Sequence, residues 1–475
     1  MGPEPGRRAD RLWNDVAMPA APAETAVHPT DEARSFASDL GTFVTASPSS
    51  FHAAREAARR LEAAGFTALD EHEDWAASDV GGDRYVLRDG SLIAWSAPAS
   101  ADARTPFRIV GSHTDSPALK IKPDPALAAE GLGQVGVEVY GGVLQNSWLD
   151  RELRLAGRLV LRGGREVLVE TGPLLRIPQL AVHLDRGVNT QGLTLDPQKH
   201  MQPVAGLGEV DVLEILARRA GVEKAEVLGT DVVTVDAQAP GFFGANEEFL
   251  ASGRLDNLSS VHAETEALVR IARGDGAADG QAGDEASTDA GTGTGTGAGR
   301  PIALMVANDH EEVGSASRSG AAGPFLEDVL VRVHAALGGD EASRRRALAG
   351  SMVLSADAGH AAHPNYPERH DPVNRPRLGA GPILKLNANQ RYASDAVGTA
   401  ALSEACERAD VPLQAFVSNN AMPCGSTIGP ITATRLGMTT IDVGITLLSM
   451  HSVREMCAVA DPLHLSRACE EFLRG

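Results

Sequence analysis

The sequence of 475 residues is poor in aromatic side chains and in positive charge. Aromatic residues make up 4%, so a buried core has to be built mainly from Ala, Val and Leu. Lys and Arg number 43 against 63 Asp and Glu, which gives a formal net charge of −20. Nucleic acids and anionic membranes are bound by basic surfaces. We therefore predict that neither is a partner of this protein.

Cysteine and long hydrophobic runs are also scarce. The four cysteines, at positions 406, 424, 457 and 469, include no CxxC pair, which excludes a disulfide scaffold and a cysteine-based zinc site. No run approaches the ~20 apolar residues that span a bilayer. The beginning of the sequence lacks the apolar segment of a signal peptide. These absences predict a cytoplasmic protein.

Composition and periodicity divide the chain into segments. Residues 1–30 are rich in Pro, Ala and charge and predict a disordered lead-in, and residues 274–299 contain no Leu, Ile, Val or aromatic residue and predict a disordered loop. Short strand-like runs fill residues 117–244, which we interpret as an inserted β-rich domain. The main domain would then comprise residues 31–116 and 245–475, because motifs on both sides of the insert belong to one site.

Several short apolar runs end in polar residues that can carry chemistry. The run PFRIVGS leads into His113, PIALMVAND leads into Glu311 and Glu312, and SMVLSA leads into Asp357. Near-continuous apolar runs that alternate with helical segments predict an α/β fold with a mixed, largely parallel sheet sandwiched by helices. Because ligands bind at the carboxyl ends of strands in such sheets, these polar residues predict a binding site there.

Two imidazoles and three carboxylates in these turns form a candidate metal-ligand set. The set comprises His113, Asp256, Glu312, Asp357 and His451. Such ligands suit a pair of divalent ions, zinc above all, with Mn²⁺ or Co²⁺ as substitutes. Each ion could take one imidazole, one terminal carboxylate and one oxygen of a bridging carboxylate. Two Zn²⁺, three carboxylates and one hydroxide sum to zero charge, so the centre can be buried.

Each member of this set has an ordinary structural alternative when it is taken singly. An isolated His113 could be hydrogen-bonded to a nearby acid, an isolated Asp256 could be a turn or cap residue, and an isolated His451 could be a satisfied core histidine. A zincin helix is excluded because Gly314 stands where HExxH requires the second histidine. A metal site is favoured because three members of the set directly follow buried-strand patterns.

Seven motifs, in this order, resemble those of the aspartyl aminopeptidases, which are two-zinc metallopeptidases of the cytosol. They are GSHTDSP, GRLDN, NDHEEVGS, SADAGHAAHPNY, NANQRYA, PCGSTIGP and MHSVRE. The resemblance covers nearly the whole chain from about residue 31. It implies a catalytic domain of the zinc-peptidase type and a dimerisation role for the insert. It also implies peptide substrates with an N-terminal Asp or Glu, and a large closed homo-oligomer built from dimers, such as a dodecamer.

The resemblance also implies how the ligands divide between two zinc ions. His113 and Asp357 would bind one ion, Glu312 and His451 the other, and Asp256 would bridge them.

Three further residues receive catalytic or supporting roles by the same resemblance. Glu311 would be the general base for a water shared by the two ions. Asp115 would accept the other ring N–H of His113, with an N-cap or turn acid as the alternative. His183 would reach the active site of a neighbouring subunit and stabilise the tetrahedral intermediate. The alternative is a histidine on a strand of the insert with no catalytic role.

Substrate recognition is implied for a second group of residues. Lys385 would meet the carboxylate of the substrate, with Tyr392 beside it. The backbone of Gly425, Ser426 and Thr427 would line the pocket. The alternative for Lys385 is a solvated lysine at the edge of a strand. The alternative for residues 425–427 is a tight turn. The field of the acidic protein should repel acidic peptides, but it is screened beyond ~8 Å at physiological salt, so a local cation can dominate.

Two other functions remain open on the sequence. The same ligand set serves a related two-metal deacylase or carboxypeptidase. A non-catalytic oligomeric binding protein could also retain the fold, although such a protein has no need of a general base at position 311.

Overall fold

The computed structural model describes residues 28–274 and 300–475. The predicted disordered lead-in lies outside the described residues except for its last three positions. The predicted disordered loop lies outside them except for Gly274. Among the described residues, no helix has the length and apolar character that crossing a membrane requires.

The described residues form α-helices and short 3-10 helices along the whole chain. The α-helices are α1 (Asp31–Ala46), α2 (Ser50–Ala63), α3 (Ala77–Val80), α4 (Val188–Gln191), α5 (Pro197–His200), α6 (Val212–Ala220), α7 (Leu255–Arg273), α8 (Phe325–Ala336), α9 (Glu341–Ala349), α10 (Ala396–Arg408), α11 (Ile428–Leu436) and α12 (Asp461–Arg474). The 3-10 helices span Gln145–Trp148, Lys224–Glu226, Glu311–Val313 and Pro367–Arg369.

The strands of the described residues fall into four sheets. They are β1 (Thr67–Ala68), β2 (Gly82–Arg88), β3 (Ser91–Ala97), β4 (Phe107–His113), β5 (Ala118–Ala129), β6 (Leu132–Tyr140), β7 (Glu152–Leu161), β8 (Glu166–Glu170), β9 (Leu175–Arg176), β10 (Val204–Leu207), β11 (Val227–Asp236), β12 (Gly241–Phe243), β13 (Phe249–Ser252), β14 (Ile302–Asn308), β15 (Met352–Ala356), β16 (Gly359–His360), β17 (Ile383–Leu386), β18 (Gln414–Val417), β19 (Thr439–Gly444), β20 (Thr446–Leu447) and β21 (Glu455–Ala458).

The central sheet has nine strands in the order β1-β2-β3-β14-β4-β15-β19-β17-β18. Its four middle strands, β14, β4, β15 and β19, run parallel to one another. Every residue of β14 is buried, as expected for a strand that is covered on both faces. The predicted α/β fold with a mixed, largely parallel sheet is therefore confirmed.

Helices cover both faces of the central sheet. Helices α1, α2, α7 and α12 enclose one core with Leu40, Phe43 and Leu61 among its fully buried side chains. Helices α8 and α9 and the residues around α3 enclose a second core that contains Trp95 and Phe325. Because α7 is buried along most of its length, its first turn has a fixed position above the sheet.

A second sheet, of seven strands, has the order β11-β5-β6-β10-β9-β7-β8, and a further pairing of β11 with β7 closes it. It has its own hydrophobic core, which includes Trp148, Leu153 and Leu216 of α6. Gly157 of β7 is required there, since a Cβ atom would lie 1.9 Å from the carbonyl oxygen of Asp231. These strands lie within the range 117–244. The boundaries of the insert and its dimerisation role stay predictions.

A small sheet, β12-β13-β21, brings distant parts of the chain together. The antiparallel pair β13 and β21 places Ser252 opposite Glu455. The turn after β13 and the loop before β21 therefore meet beside the central sheet.

Candidate metal centre

The parallel strands deliver three of the predicted ligands to one edge of the central sheet. His113 is the last residue of β4, and its register partner on β14 is Asn308, shortly before Glu312. On the other side of β4, the parallel strand β15 ends directly before Asp357. The register of these parallel strands therefore brings the three side chains to the same edge of the sheet, as predicted.

The other two ligands arrive through the small sheet. Asp256 lies in the first turn of α7, shortly after β13, and the Asp256–Asn257 peptide bond is cis. His451 lies in the loop before β21. The pairing of β13 with β21 brings these two residues next to each other.

The carboxylate of Asp256 lies between the two imidazoles. Its Oδ1 is 3.4 Å from Nε2 of His113, and its Oδ2 is 3.3 Å from Nε2 of His451. Asp357 Oδ1 lies 3.8 Å from Nε2 of His113, and Glu312 Oε2 lies 3.5 Å from Nε2 of His451. All five predicted ligands are therefore brought together, in two groups of three that share Asp256.

The donor set fits two divalent cations. Within each group, one ligand atom of every residue lies within 4.8 Å of the others. Oδ1 of Asp256 and Oε1 of Glu312 are buried and have no hydrogen-bond partner among the described residues. Buried polar atoms are nearly always satisfied, so these two oxygens indicate that a further group binds here.

The pKa shifts in the cluster also favour the binding of cations. Burial raises the pKa of Glu312 well above its usual range, and the charge of Asp256 adds to the effect. Burial lowers the pKa of His451, but its hydrogen bond to Asp256 and the charge of Glu312 outweigh burial, and the pKa rises to about 10. The carboxylates of the cluster thus lie close enough to raise the pKa of their neighbours. Two cations would offset the negative charge of these carboxylates.

Glu311 differs from its neighbour Glu312 in direction and exposure. Its Oε2 lies 3.9 Å from Nε2 of His113, whereas Glu312 approaches His451. The side chain of Glu311 is 18% exposed and that of Glu312 is 3% exposed. Burial, together with the charge of nearby carboxylates, raises the pKa of Glu311 to about 7. Glu311 is therefore the carboxylate of this pair that solvent and a substrate can reach.

Asp115 contacts the site in a different way from the predicted one. The ring Nδ1 of His113 lies 3.0 Å from the backbone oxygen of Asp115 and 3.4 Å from its carboxylate. The carboxylate instead accepts hydrogen bonds from the backbone N–H groups of Glu311 (3.0 Å) and Glu312 (3.1 Å). It also accepts one from the hydroxyl of Tyr140 (2.8 Å). Asp115 therefore holds the turn that carries both glutamates.

Glu455 is a functional residue that the sequence analysis missed. It is 2% exposed, and its carboxylate accepts hydrogen bonds from the backbone N–H of Asp256 (3.0 Å) and of His451 (2.8 Å). Its partner Asp256 lies 199 residues away in the sequence. The sequence feature that could have identified Glu455 is its position at the end of the MHSVRE motif. Glu455 fixes the backbone at two ligands, as Asp115 does at the glutamates.

A loop after β6 was also missed. The backbone oxygen of Gly142 lies 3.1 Å from Nδ1 of His451. Gly141 has a positive φ of 73°, and a Cβ there would lie 3.0 Å from Cβ of Glu312. Glycine is needed for this close approach. The pair of glycines after Tyr140 is the sequence feature that could have identified this loop. Through this loop the second sheet contacts the candidate metal centre.

Lys385 lies on β17 and is 2% exposed, so its alternative as a solvated lysine is wrong. Its Nζ donates a hydrogen bond of 2.7 Å to the backbone oxygen of Ala358 and lies 3.7 Å from Oδ2 of Asp357. It also lies 5.5 Å from the ring centroid of Tyr392, which is itself buried. The structure therefore places a buried positive charge beside one of the predicted ligands.

The other predicted pocket residues differ in exposure. Gly425 and Ser426 are exposed, and the Ser426 hydroxyl donates to the backbone oxygen of Arg391 at 3.3 Å. Thr427 is buried and is the N-cap of α11, where its Oγ1 accepts from the N–H of Gly429. The segment is therefore the entry to a helix, and it touches the loop that carries Tyr392.

His183 is not part of the cluster. It is exposed and lies between β9 and α4, outside any strand, so the alternative of a strand histidine is wrong. The apolar residues near it are also exposed, by 58% at Leu180, 51% at Val182 and 76% at Leu184.

Comparison with known proteins identifies the family of the chain. The profile of the family described as Aminopeptidase I zinc metalloprotease (M18) matches residues 43–473. The chain belongs to the M18 family. It is thus a hydrolase, a zinc-dependent metallo-aminopeptidase.

Individual M18 proteins resemble the chain over most of its length. A Streptomyces coelicolor protein named "Probable M18 family aminopeptidase 2" is 50% identical over 446 residues, which cover 93% of this chain and 98% of that protein. A chain of a solved complex of Ape4 and Nbr1 matches with a TM-score of 0.84 at 35% identity, covering 93% of this chain and 86% of that chain. The solved S. cerevisiae mApe1 dodecamer matches with a TM-score of 0.76 at 27% identity, covering 93% and 97%.

Glu455→Gln is expected to weaken zinc binding. An amide offers one acceptor oxygen, so one of the two backbone N–H groups at Asp256 and His451 would lose its partner. Changes to residues that orient metal ligands cost roughly 10–100-fold in metal affinity. Competition with a chromophoric chelator would measure the zinc Kd.

Glu264→Gln is the matched control for this prediction. Glu264 is likewise a fully buried glutamate, and its carboxylate bonds to the hydroxyl of Ser112 rather than to the backbone of a ligand. Equal zinc affinities in the two variants would contradict the role assigned to Glu455.

Proposed function

We propose that this M18 aminopeptidase releases N-terminal Asp and Glu residues from peptides. The observation that carries the proposal is the buried ammonium group of Lys385, 3.7 Å from Asp357 Oδ2 and thus beside the metal-ligand cluster. A cation in a water-poor site can offset the desolvation of a substrate carboxylate, which a neutral pocket cannot do. Because Lys385 is held by a backbone carbonyl, its Nζ needs little reorganisation when the substrate binds.

The proposed cofactor is a pair of zinc ions, with Mn²⁺ or Co²⁺ as substitutes. His113 and Asp357 would hold one ion and Glu312 and His451 the other, with Asp256 between them. Bound ions of this kind supply Lewis acidity, which polarises a carbonyl and lowers the pKa of water.

Glu311 is the proposed general base. Its carboxylate borders the ligand cluster without the burial of Glu312, and its pKa of about 7 suits proton transfer near neutral pH. It would take the proton of the attacking water and deliver it to the leaving amine. The hydrogen bond from its backbone N–H to Asp115 fixes the turn from which it acts.

His183 is proposed to act in the active site of a neighbouring subunit, within a homo-oligomer built from dimers. Support comes from the exposure of Leu180, Val182 and Leu184 around it, since exposed apolar clusters mark interaction surfaces. The related S. cerevisiae mApe1 is a dodecamer. A dodecamer built from such dimers is the proposed assembly here.

Glu311→Gln is expected to retain both zinc ions and lose most of the turnover. The amide keeps the size of the side chain but cannot accept a proton, and general base catalysis contributes about 10²–10⁴-fold. Single-turnover kinetics together with metal analysis would measure this. Activity close to that of the wild type would remove Glu311 as the base.

Lys385→Met is expected to lower kcat/KM for substrates with N-terminal Asp or Glu by roughly 30-fold, which corresponds to the loss of about 2 kcal/mol of charge-assisted hydrogen bonding. Methionine fills a similar volume without the charge. A matched panel of acidic and neutral aminoacyl amides and their N-acetylated forms would be assayed on the wild type and the variant. An equal loss on neutral substrates would contradict recognition by charge. Hydrolysis of the acetylated forms would contradict the aminopeptidase assignment at this site.

His183→Phe is expected to reduce kcat by about 100-fold without loss of zinc, because an oxyanion donor is worth about 3 kcal/mol. Coexpression with Glu311→Gln subunits should restore activity. In a mixed dimer, one site combines an intact Glu311 with an intact His183 from the other subunit. Random pairing makes half of the dimers mixed, so about a quarter of the sites would be competent. A mixture no more active than the separate variants would place His183 outside the neighbouring site.

A further inference from the structure

Asp442 is a buried carboxylate in the middle of β19, a strand of the central sheet. It is 0% exposed on β19, between Ile441 and Val443, which are also 0% exposed. Removing a carboxylate from water costs free energy unless the carboxylate is hydrogen-bonded. A carboxylate at this position therefore requires hydrogen-bond donors. Burial raises the pKa of Asp442, and the hydrogen bond from Thr427 opposes that rise.

The partners of Asp442 belong to two separate loops. Its Oδ1 accepts a hydrogen bond of 2.5 Å from the hydroxyl of Thr427, at the start of α11. Its Oδ2 accepts one of 2.6 Å from the backbone N–H of Ala393. The backbone N–H of Asp442 donates to the hydroxyl of Ser394 at 2.8 Å. One residue of the central sheet thus fastens both loops at their buried ends.

The first of these loops carries Tyr392, directly before Ala393. The ring of Tyr392 lies over the ammonium group of Lys385. A shift of the N–H of Ala393 away from Asp442 would therefore move the aromatic wall against which Lys385 packs.

The second loop, residues 424–427, leads into α11, and its packing against Asp442 is tight. A Cβ on Gly429 would lie 2.3 Å from Oδ1 of Asp442, so the first turn of α11 rests directly on the carboxylate. The carboxylate of Asp442 therefore contributes to the position of this loop.

We propose that Asp442 is a positioning residue that holds both walls of the pocket for the N-terminal side chain of the substrate and thereby sets its specificity. The inference rests on the proposed function, because it takes the loops around Tyr392 and Thr427 as the walls of that pocket. Asp442 acts through the two loops and does not touch the substrate.

The test compares Asp442→Ala and Asp442→Asn with the wild type on the matched acidic and neutral aminoacyl amides. Loss of both hydrogen bonds is expected to raise KM for the preferred side-chain class by about 10-fold in Asp442→Ala, and by less in Asp442→Asn, which keeps one acceptor. The ratio of kcat/KM between acidic and neutral substrates should fall with it. The zinc content and kcat should stay within about twofold of the wild type, because no metal ligand bonds to Asp442.

Asp461→Asn is the matched control. Asp461 is also 0% exposed and accepts bonds from the N–H groups of Gly379 (2.9 Å) and Gly381 (3.2 Å) and from the hydroxyl of Thr446 (3.2 Å). Asp461→Asn should lower the thermal midpoint, because it also removes a buried acceptor, but leave the substrate ratio unchanged.

The outcomes separate this inference from the proposed function. An unchanged ratio and KM in both Asp442 variants, or an equal change in Asp461→Asn, would overturn the positioning role. Should Asp442→Ala not fold, Asp442→Asn decides alone. A wild type that prefers neutral substrates would refute the proposed acidic specificity. In that case, a higher KM of the Asp442 variants for the neutral substrates would support the positioning role of Asp442. An unchanged KM for these substrates would overturn it.

Discussion

The placement of the Asp256 carboxylate between two imidazoles is the constraint on which the rest of the site depends. One oxygen faces His113 and the other faces His451, at 3.4 and 3.3 Å. His113 ends a strand of the central sheet and His451 lies in the loop before β21, so Asp256 joins two separate parts of the fold. A buried carboxylate in this position requires compensating positive charge, which the proposed zinc ions would supply.

Two further buried carboxylates keep this arrangement rigid through the backbone rather than through the ligands' side chains. Asp115 receives the N–H groups of Glu311 and Glu312, and Glu455 receives those of Asp256 and His451. Backbone bonds of this kind fix the direction of each Cα–Cβ bond before any ion arrives. The candidate ligands are then ordered by folding, which would strengthen the proposed metal binding.

Much of the fold and the proximity of three candidate ligands could be predicted from the sequence, because His113, Glu312 and Asp357 each lie at or after the end of a buried strand. Parallel strands place such residues at one edge without further information. Glu455 could not be found in this way, since its role depends on the pairing of β13 with β21, which no local pattern encodes. Asp442 was missed for a similar reason, because its partners are brought to it by loops. His183 is exposed, and its proposed role depends on a neighbouring subunit.

The turn after β6 links the second sheet to the candidate metal centre. Tyr140 ends β6 of the second sheet and Gly142 lies in the turn after it. The hydroxyl of Tyr140 donates to Asp115, and the backbone oxygen of Gly142 lies 3.1 Å from Nδ1 of His451. A shift of the second sheet would therefore be transmitted to His451 and to the turn that carries Glu311 and Glu312.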